Sequence, residues 1–452
     1  MNKLSMLAAA FALLAGNSAV AAVGPFEIYE QALRNDPVFL GAIKERDAGL
    51  ENRAIGRAGL LPKLGYTYNK GHNDSKATQL NSRGNITEDR KYNSYGSSLT
   101  LQQPLLDYEA YAAYRKGVAQ SLFADENFRG KSQELLVRVL DNYTKALFAQ
   151  DQIDIAQAKK KAYEQQFQQN EHLFKSGEGT RTDILEAESR YELATAEEIE
   201  ARDEQDAALR ELGALTGVPA IDIGDLAPLD QNFQTFTLQP ANYDTWHELA
   251  ISNNPNLASQ RQAVEVARYE VERNRAGHLP KVSAYASMRQ NESESGNTYN
   301  QRYETNTIGF EVSVPLYAGG GVSASTRQAS RNMERAEYEL DGKTRETLIE
   351  LRRQFSACLS GVSKLRAYQK ALTSAEALVV STKQSILGGE RTNLDALNAE
   401  QQLFTTRRDL AQARYDYLMA WTKLHYYAGT LSEQDLARVD EAFGQGPKGR
   451  MN

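Results

Sequence analysis

The chain is written twice. Arg57-Ala58-Gly59-Leu60-Leu61-Pro62-Lys63 returns 218 residues later as Arg275-Ala276-Gly277-His278-Leu279-Pro280-Lys281, and Asn35-Asp36-Pro37 meets Asn253-Asn254-Pro255 at the same offset. Further on, Gly177-Glu178-Gly179-Thr180-Arg181-Thr182-Asp183 aligns with Gly389-Glu390-Arg391-Thr392-Asn393-Leu394-Asp395 at an offset of 212, which also pairs Leu212 with Leu424 and Gly217 with Gly429. Matches in the same order at near-constant spacing point to a duplicated unit used side by side. They do not suit a catalytic domain joined to a regulatory one.

Prolines mark where each copy is interrupted. Pro37, Pro62 and Pro104 correspond to Pro255, Pro280 and Pro315, and no proline occurs between Leu105 and Val218 or between Leu316 and Gly446. Proline breaks helix interiors, so both tracts are free to form very long helices. Their apolar spacing agrees. Leu351, Cys358, Leu365, Leu372 and Val379 recur every seven residues, accompanied by Leu348, Phe355 and Val362, which is a heptad seam. Downstream, Leu397, Phe404, Ala411 and Leu418 form one column and Leu403, Leu410, Tyr417 and Leu424 an adjacent one. Two apolar columns on one helix call for neighbours on two sides, as in a curved wall of helices. A helix from Val322 to Ile386 would be roughly 100 Å long at about 1.5 Å per residue.

Before each long tract lies a strand pair. Ile308, Phe310, Val312 and Val314 alternate with Thr307, Gly309, Glu311 and Ser313; Leu99 and Leu101 alternate with Ser98, Thr100 and Gln102; Leu64, Tyr66 and Tyr68 alternate in the first strand. This is the pattern of a sheet with one apolar and one polar face, and it fits a strand crossing a membrane with apolar side chains toward lipid. On that reading Ile308, Phe310, Val312 and Val314 face lipid, while Glu311 and Ser313 face a pore. A strand of a soluble sandwich shares the pattern. The segments Gly71 to Lys91 and Asn291 to Arg302 are polar and read as exposed loops. Short helices are expected from about Pro25 to Ala58 and from about Tyr243 to Ala276.

The N-terminus reads as a secretory signal over residues 1–22, with Lys3 ahead of an apolar stretch and Ala19-Val20-Ala21 as a small-x-small cleavage site. No other stretch suits a membrane helix, so insertion would have to be by strands. The formal net charge of −7 gives no case for nucleic-acid binding. The single cysteine, Cys358, excludes an intrachain disulfide, and five scattered histidines carry no metal-ligand spacing. Gly319-Gly320-Gly321 sits between a strand and a helix pattern and reads as a turn. There is no nucleophile-base motif and no cofactor fingerprint, so the chain reads as a non-enzyme without cofactors.

Four strands cannot close a barrel, since membrane barrels begin at about eight, and open sheet edges are not tolerated in hydrocarbon. A membrane reading therefore requires several chains. Three copies would supply twelve strands, a number that the strand pattern by itself leaves open.

With this signal, the duplicated strand-pair and long-helix unit, and the Gly389-Glu390-Arg391-Thr392-Asn393-Leu394-Asp395-Ala396-Leu397 turn, the chain resembles the TolC family of outer-membrane efflux proteins, in the branch serving type I protein secretion. The likeness runs from Phe26 to about Thr430. It implies a mixed α and β membrane protein: a homotrimer with four strands per chain in an outer-membrane β-barrel, continuous with a long periplasmic α-helical coiled-coil tunnel. It further implies an inner-membrane ABC transporter, a periplasmic membrane-fusion protein and an exported protein substrate as partners, with the barrel seated in outer-membrane lipid. The organisation expected is a first repeat over 23–217, a linker over 218–242, a second repeat over 243–429 and a C-terminal extension over 430–452.

In such proteins polar links close the periplasmic end of the tunnel, and the matching positions are Arg391, Asp395 and Asp183. A family tyrosine falls on Ile386 and a second acidic position on Asn398, which implies a looser closure. Read without the family, Arg391 and Asp395, four apart, would be a solvated ion pair on a helix, and Asp183 and Asp395 favourable charges at helix N-termini. Two other functions remain open on the sequence: the outer-membrane part of a drug or metal efflux pump, and a soluble periplasmic coiled-coil adaptor.

Overall fold

A computed structural model describes residues 22–444 except 81, 83, 220, 231 and 232. The expected signal segment, apart from Ala22, and the last eight residues of the C-terminal extension lie outside the described residues. The chain folds as two compact units, each drawing on both halves of the sequence. One contains the described residues up to Lys44, Phe128–Pro255 and those from Thr344 onward; the other contains Glu45–Asn127 and Asn256–Lys343.

Element order repeats as the duplication requires. The first half runs α1 (Pro25–Asn35), α2 (Pro37–Leu50), α3 (Asn52–Ala58), β1 (Lys63–Gln79), β2 (Ile86–Leu106), α4 (Tyr108–Lys175) and α5 (Arg181–Thr216). The second runs α6 (Tyr243–Asn253), α7 (Pro255–Arg275), β3 (Lys281–Glu292), β4 (Arg302–Ser313), α8 (Gly321–Leu387) and α9 (Asn393–Ala428), followed by α10 (Glu433–Asp440). The two proline-free tracts supply helices of 68 and 67 residues and their 36-residue returns. No helix among the described residues is long and apolar enough to cross a membrane.

The expected short helices are each interrupted at a proline. Pro37 and Pro255 have no N–H to continue a helix and push the preceding residue into extended backbone. Asp36 and Asn254 accordingly adopt ψ of 114° and 118°. Asp36 then caps α2 by accepting from the N–H groups of Val38 and Phe39 at 3.3 and 3.1 Å.

In the first unit a core of Leu135, Leu140, Tyr143, Leu212, Trp246, Leu351, Leu418 and Trp421 is fully buried. The expected heptad residues Leu351, Cys358 and Val379 are buried on α8, and Leu397, Phe404, Leu418, Leu403, Leu410, Tyr417 and Leu424 fill both columns of α9. Tyr143 donates to the carbonyls of Val23 (2.9 Å) and Ala227 (2.8 Å), its single proton shared between them, which satisfies its hydroxyl at the base of this core. On α5 the buried column is made of Ala187, Ala194, Ala201 and Ala208, whose small side chains let the neighbouring helix approach closely.

The second unit holds one antiparallel sheet in the order β1-β2-β3-β4. The loop expected over Gly71 to Lys91 is instead largely strand, because β1 and β2 pair from Lys63↔Gln102 as far as Gln79↔Ile86. Polar cross-strand contacts hold this outer ribbon without apolar alternation: Asp74 with Lys91 at 3.4 Å, Thr78 with Thr87 at 3.1 Å and His72 with Asn93 at 3.0 Å. Pro104 sits in β2 at a register shift, where a residue without an N–H is tolerated.

Candidate functional site

The sheet register gathers scattered apolar residues onto one face. Directly opposed residues share a face, so Leu64↔Leu101, Leu101↔Ala286 and Ala286↔Ile308 make one apolar row across all four strands. Tyr66↔Leu99↔Met288 forms the next, and Ala284↔Phe310 and Val282↔Val312 extend the face along β3 and β4. In the single chain these side chains are open, with Ile308 89%, Phe310 74%, Leu64 69% and Val312 63% exposed. An apolar patch of this extent marks a surface that something else covers. Tyr68 and Tyr95 meet edge-on at 5.4 Å on the same face, one step further along the ribbon.

The opposite face carries Thr67, Ser98 and Arg289 in one row, Thr100, Ser287 and Thr307 in another, and Ser283 with Glu311 and Lys281 with Ser313 in two more. Glu311 and Ser313 thus lie opposite the apolar set. Tyr285 on this face packs over Gly309, where an added Cβ would lie 3.0 Å from its ring. Val314 is exposed but falls one residue beyond β4, because Pro315 brings no N–H to extend the ladder.

In the other unit, the two helix reversals are built alike. After α4, Glu178 donates to Leu173 O at 2.9 Å and Gly177 to Phe174 O at 3.1 Å; after α8, Glu390 donates to Ser385 O at 3.0 Å and Gly389 to Ile386 O at 2.9 Å. Both are Schellman closures, and Gly177 and Gly389 take φ of 84° and 75°. Capping boxes start the returning helices. Asp183 Oδ2 accepts from Thr180 N at 3.1 Å and Thr180 Oγ1 at 2.6 Å, while Asp395 Oδ2 accepts from Thr392 N and Oγ1, both at 2.9 Å. The Thr392 N–H and hydroxyl, with a lesser contribution from Arg391, hold the Asp395 carboxyl below its usual range.

This geometry changes the reading of Arg391. It lies in the bend before α9, not on a helix beside Asp395, and its side chain is exposed. The corresponding residue of the first reversal is Gly179, where a Cβ would come within 2.9 Å of Phe174 N. Only the second reversal therefore has space for a cation there. Ile386 is half-buried in the last turn of α8.

Next to the reversals, polar contacts join the α4–α5 hairpin to α9. Tyr163 donates to Gln401 Oε1 at 2.9 Å, Gln166 approaches Asn393 Oδ1 at 3.5 Å, and Arg190 donates to Asn398 Oδ1 at 2.9 Å. Lys383 on α8 pairs with the buried Glu400 on α9 at 2.7 Å, which ties the second hairpin to itself. Of these contact residues the sequence singles out Asn398 alone, as the place of a second family acidic position, and it names no partner for it. Only the Glu186–Arg190 pair on α5, four apart, carries a local signal; the partners across hairpins depend on how the helices are registered.

One unit thus offers an exposed apolar sheet face, and the other offers two polar helix reversals. A family model for outer membrane efflux proteins matches residues 28–218 and 246–430. The chain is 54% identical over 443 residues to the alkaline protease secretion protein AprF of Pseudomonas aeruginosa, covering 98% of this chain and 92% of that protein. It is 45% identical to the proteases secretion protein PrtF of Dickeya chrysanthemi, covering 99% and 96%. Among solved structures it resembles the outer-membrane channel OprN, with a TM-score of 0.78 over 90% of each chain at 18% identity. The outer membrane protein VceC of Vibrio cholerae superposes with a TM-score of 0.76 over 89% of this chain and 95% of that one, at 16% identity. At those identities the structural likeness speaks to the fold alone.

Proposed function

This chain belongs to the outer membrane efflux protein family, and from that premise we propose that it forms the outer-membrane channel-tunnel of a type I secretion system, exporting a protein such as an extracellular protease. It is an outer-membrane transport protein and not an enzyme. The observation that carries the cargo class is near-full-length identity of 54% and 45% to two proteins named for protease secretion. That likeness favours protein export over drug or metal efflux, a choice that the tunnel's own architecture does not make because the inner-membrane partner selects cargo.

The working form is a homotrimer. Each chain has one four-stranded sheet with open edges at β1 and β4, and three sheets joined edge to edge would close a twelve-stranded barrel with no unpaired backbone in hydrocarbon. The apolar face with Ile308, Phe310 and Val312, continued by Val314, meets outer-membrane lipid, and Glu311 and Ser313 face the lumen. The long helices make the periplasmic tunnel, which engages a membrane-fusion protein and an ABC transporter. We read 23–217 and 243–429 as its two structural repeats, with 218–242 as linker and 430–452 as a C-terminal extension.

The tunnel closes at the two reversals. Arg391 provides the cation of the gate, with Asp183 and Asp395 as its anionic partners from the same or a neighbouring copy. Both carboxylates already accept hydrogen bonds as caps and keep lone pairs free for a guanidinium.

The test is reconstitution of export. Cells carrying an ABC transporter, its adaptor, a protease cargo and this chain should release cargo into the medium, and omission of this chain should retain it. Export that proceeds equally without this chain, or a cross-linked monomer in the soluble periplasmic fraction, overturns the reading.

A further inference from the structure

We infer that Arg190 is a positioning residue that holds the α4–α5 hairpin against α9 in the closed state; the inference rests on the gate reading above and adds a second tie to it. Arg190 lies on α5, seven residues beyond Asp183, with its side chain only 22% exposed. One Nη donates to Asn398 Oδ1 at 2.9 Å and to Glu186 Oε1 at 3.1 Å, and the other reaches Leu397 O at 3.5 Å. A planar guanidinium can fork in this way, whereas a lysine ammonium acts as a point charge. Glu186 anchors the fork on its own helix, so the two remaining contacts reach across to α9.

The surroundings fix the hook in place. Tyr163, Ala194 and Leu397 form a small buried cluster beside it, with Tyr191 packed on its edge. Burial pushes the Tyr163 hydroxyl up, and the neighbouring Arg190 pulls it back. Partial desolvation makes a charge-assisted bond worth more than an exposed one. Asn398 fits this role as a neutral acceptor: it takes one bond from a cation already neutralised by Glu186. By contrast Lys383–Glu400 and Arg407–Glu376, at 2.7 and 3.1 Å, bind α8 to α9. They keep the second hairpin together as it moves and do not resist its separation from the first.

The experiment is single-channel recording of the purified trimer in planar bilayers, beside thermal unfolding in detergent. Arg190→Ala should raise the open-to-closed ratio roughly tenfold, as expected for loss of one charged hydrogen bond. Asn398→Ala should open the channel less, and Arg190→Ala with Asn398→Ala should open it no more than Arg190→Ala alone. Arg190→Lys should remain open, which a charge requirement alone would not give. Lys383→Ala should leave conductance unchanged. If Arg190→Ala and Asn398→Ala assemble with wild-type conductance while Arg391→Ser opens the channel, the hook is overturned and the gate stands. If none of the three opens it, both fall.

Discussion

Gly217 and Gly429 end corresponding helices in the same left-handed conformation, with φ of 73° and 72°. Each is pressed against the kink that follows the short first helix of its own repeat. Beside Gly217, Asn35 donates to Thr216 O at 2.7 Å; beside Gly429, Asn254 donates to Tyr427 O at 2.9 Å. The Asn-x-Pro kinks and the distant glycines are thus two halves of one joint, used twice.

The two joints differ in tolerance. A Cβ on Gly217 would meet the Asn35 side chain at 3.0 Å, but on Gly429 it would lie 2.5 Å from the Asn253 carbonyl carbon and oxygen. An alanine in left-handed backbone costs about 1–2 kcal/mol by itself. Gly217→Ala should lose about that much, and Gly429→Ala clearly more, because backbone cannot move aside. Thermal unfolding of the two variants checks the order; equal losses would show that the Asn253 contact yields readily.

Strand facing is tested by paired substitutions. Ile308, Phe310 and Val312 stand on the apolar face and Ser313 on the other. Phe310→Arg should cost ~2–4 kcal/mol if it meets the hydrocarbon midplane, and Ser313→Arg far less. Assembly yield and heat-modified mobility of the trimer report the difference. Similar behaviour of both variants would reject the assigned faces.

Asp151 offers a pH prediction. It is half-buried on α4 and accepts from Tyr415 Oη at 2.9 Å, and burial pushes its carboxyl up to about 6. A carboxyl raised in the folded state penalises folding above that pKa, and the penalty fades as pH falls from about 6 toward the unfolded value near 4. Asp151→Asn keeps an acceptor for Tyr415 and removes the penalty. The variant should therefore gain stability over wild type at pH 7.5, keep about half of that gain at pH 5 and lose the rest as pH falls toward 4. A constant difference across this range would place the carboxyl's titration elsewhere.

How much of this could be read beforehand depends on the range of the interaction. Proline spacing and heptads are local, so α4, α5, α8 and α9 and the buried columns of α9 were legible. Alternation in β4 also gave its two faces directly. The α5 column of Ala187, Ala194, Ala201 and Ala208 keeps the same seven-residue spacing, but small residues give little hydrophobic contrast. The outer β1–β2 ribbon looked like a loop because its pairing rests on Asp74–Lys91 and Thr78–Thr87, which leave no alternation of polarity. Asp183 and Asp395 were legible as helix-start charges from Thr-x-x-Asp. Arg190 was not, since Asn398 reaches it only through the register of two helices.

The gate itself yields the last prediction. Gly179 and Arg391 occupy the same place in otherwise matching reversals, so a trimer would carry three cations at this position, each exposed in its own chain. Three guanidiniums gathered at a constriction repel one another unless each meets a carboxylate, and the capped Asp183 and Asp395 lie at the starts of the adjoining helices. Arg391→Ser should leave the Schellman turn intact, because its hydrogen bonds use the backbone of Ser385, Ile386, Gly389 and Glu390. Conductance should rise without a change in melting temperature, and high salt should raise wild-type conductance toward the variant by screening. Since the Thr392 N–H and hydroxyl keep the Asp395 carboxyl below its usual range, the Asp395 anion should persist in mild acid and be lost only as pH falls through that lowered pKa. An Arg391→Ser channel with wild-type conductance at both low and high salt would leave these residues as surface charges and helix caps.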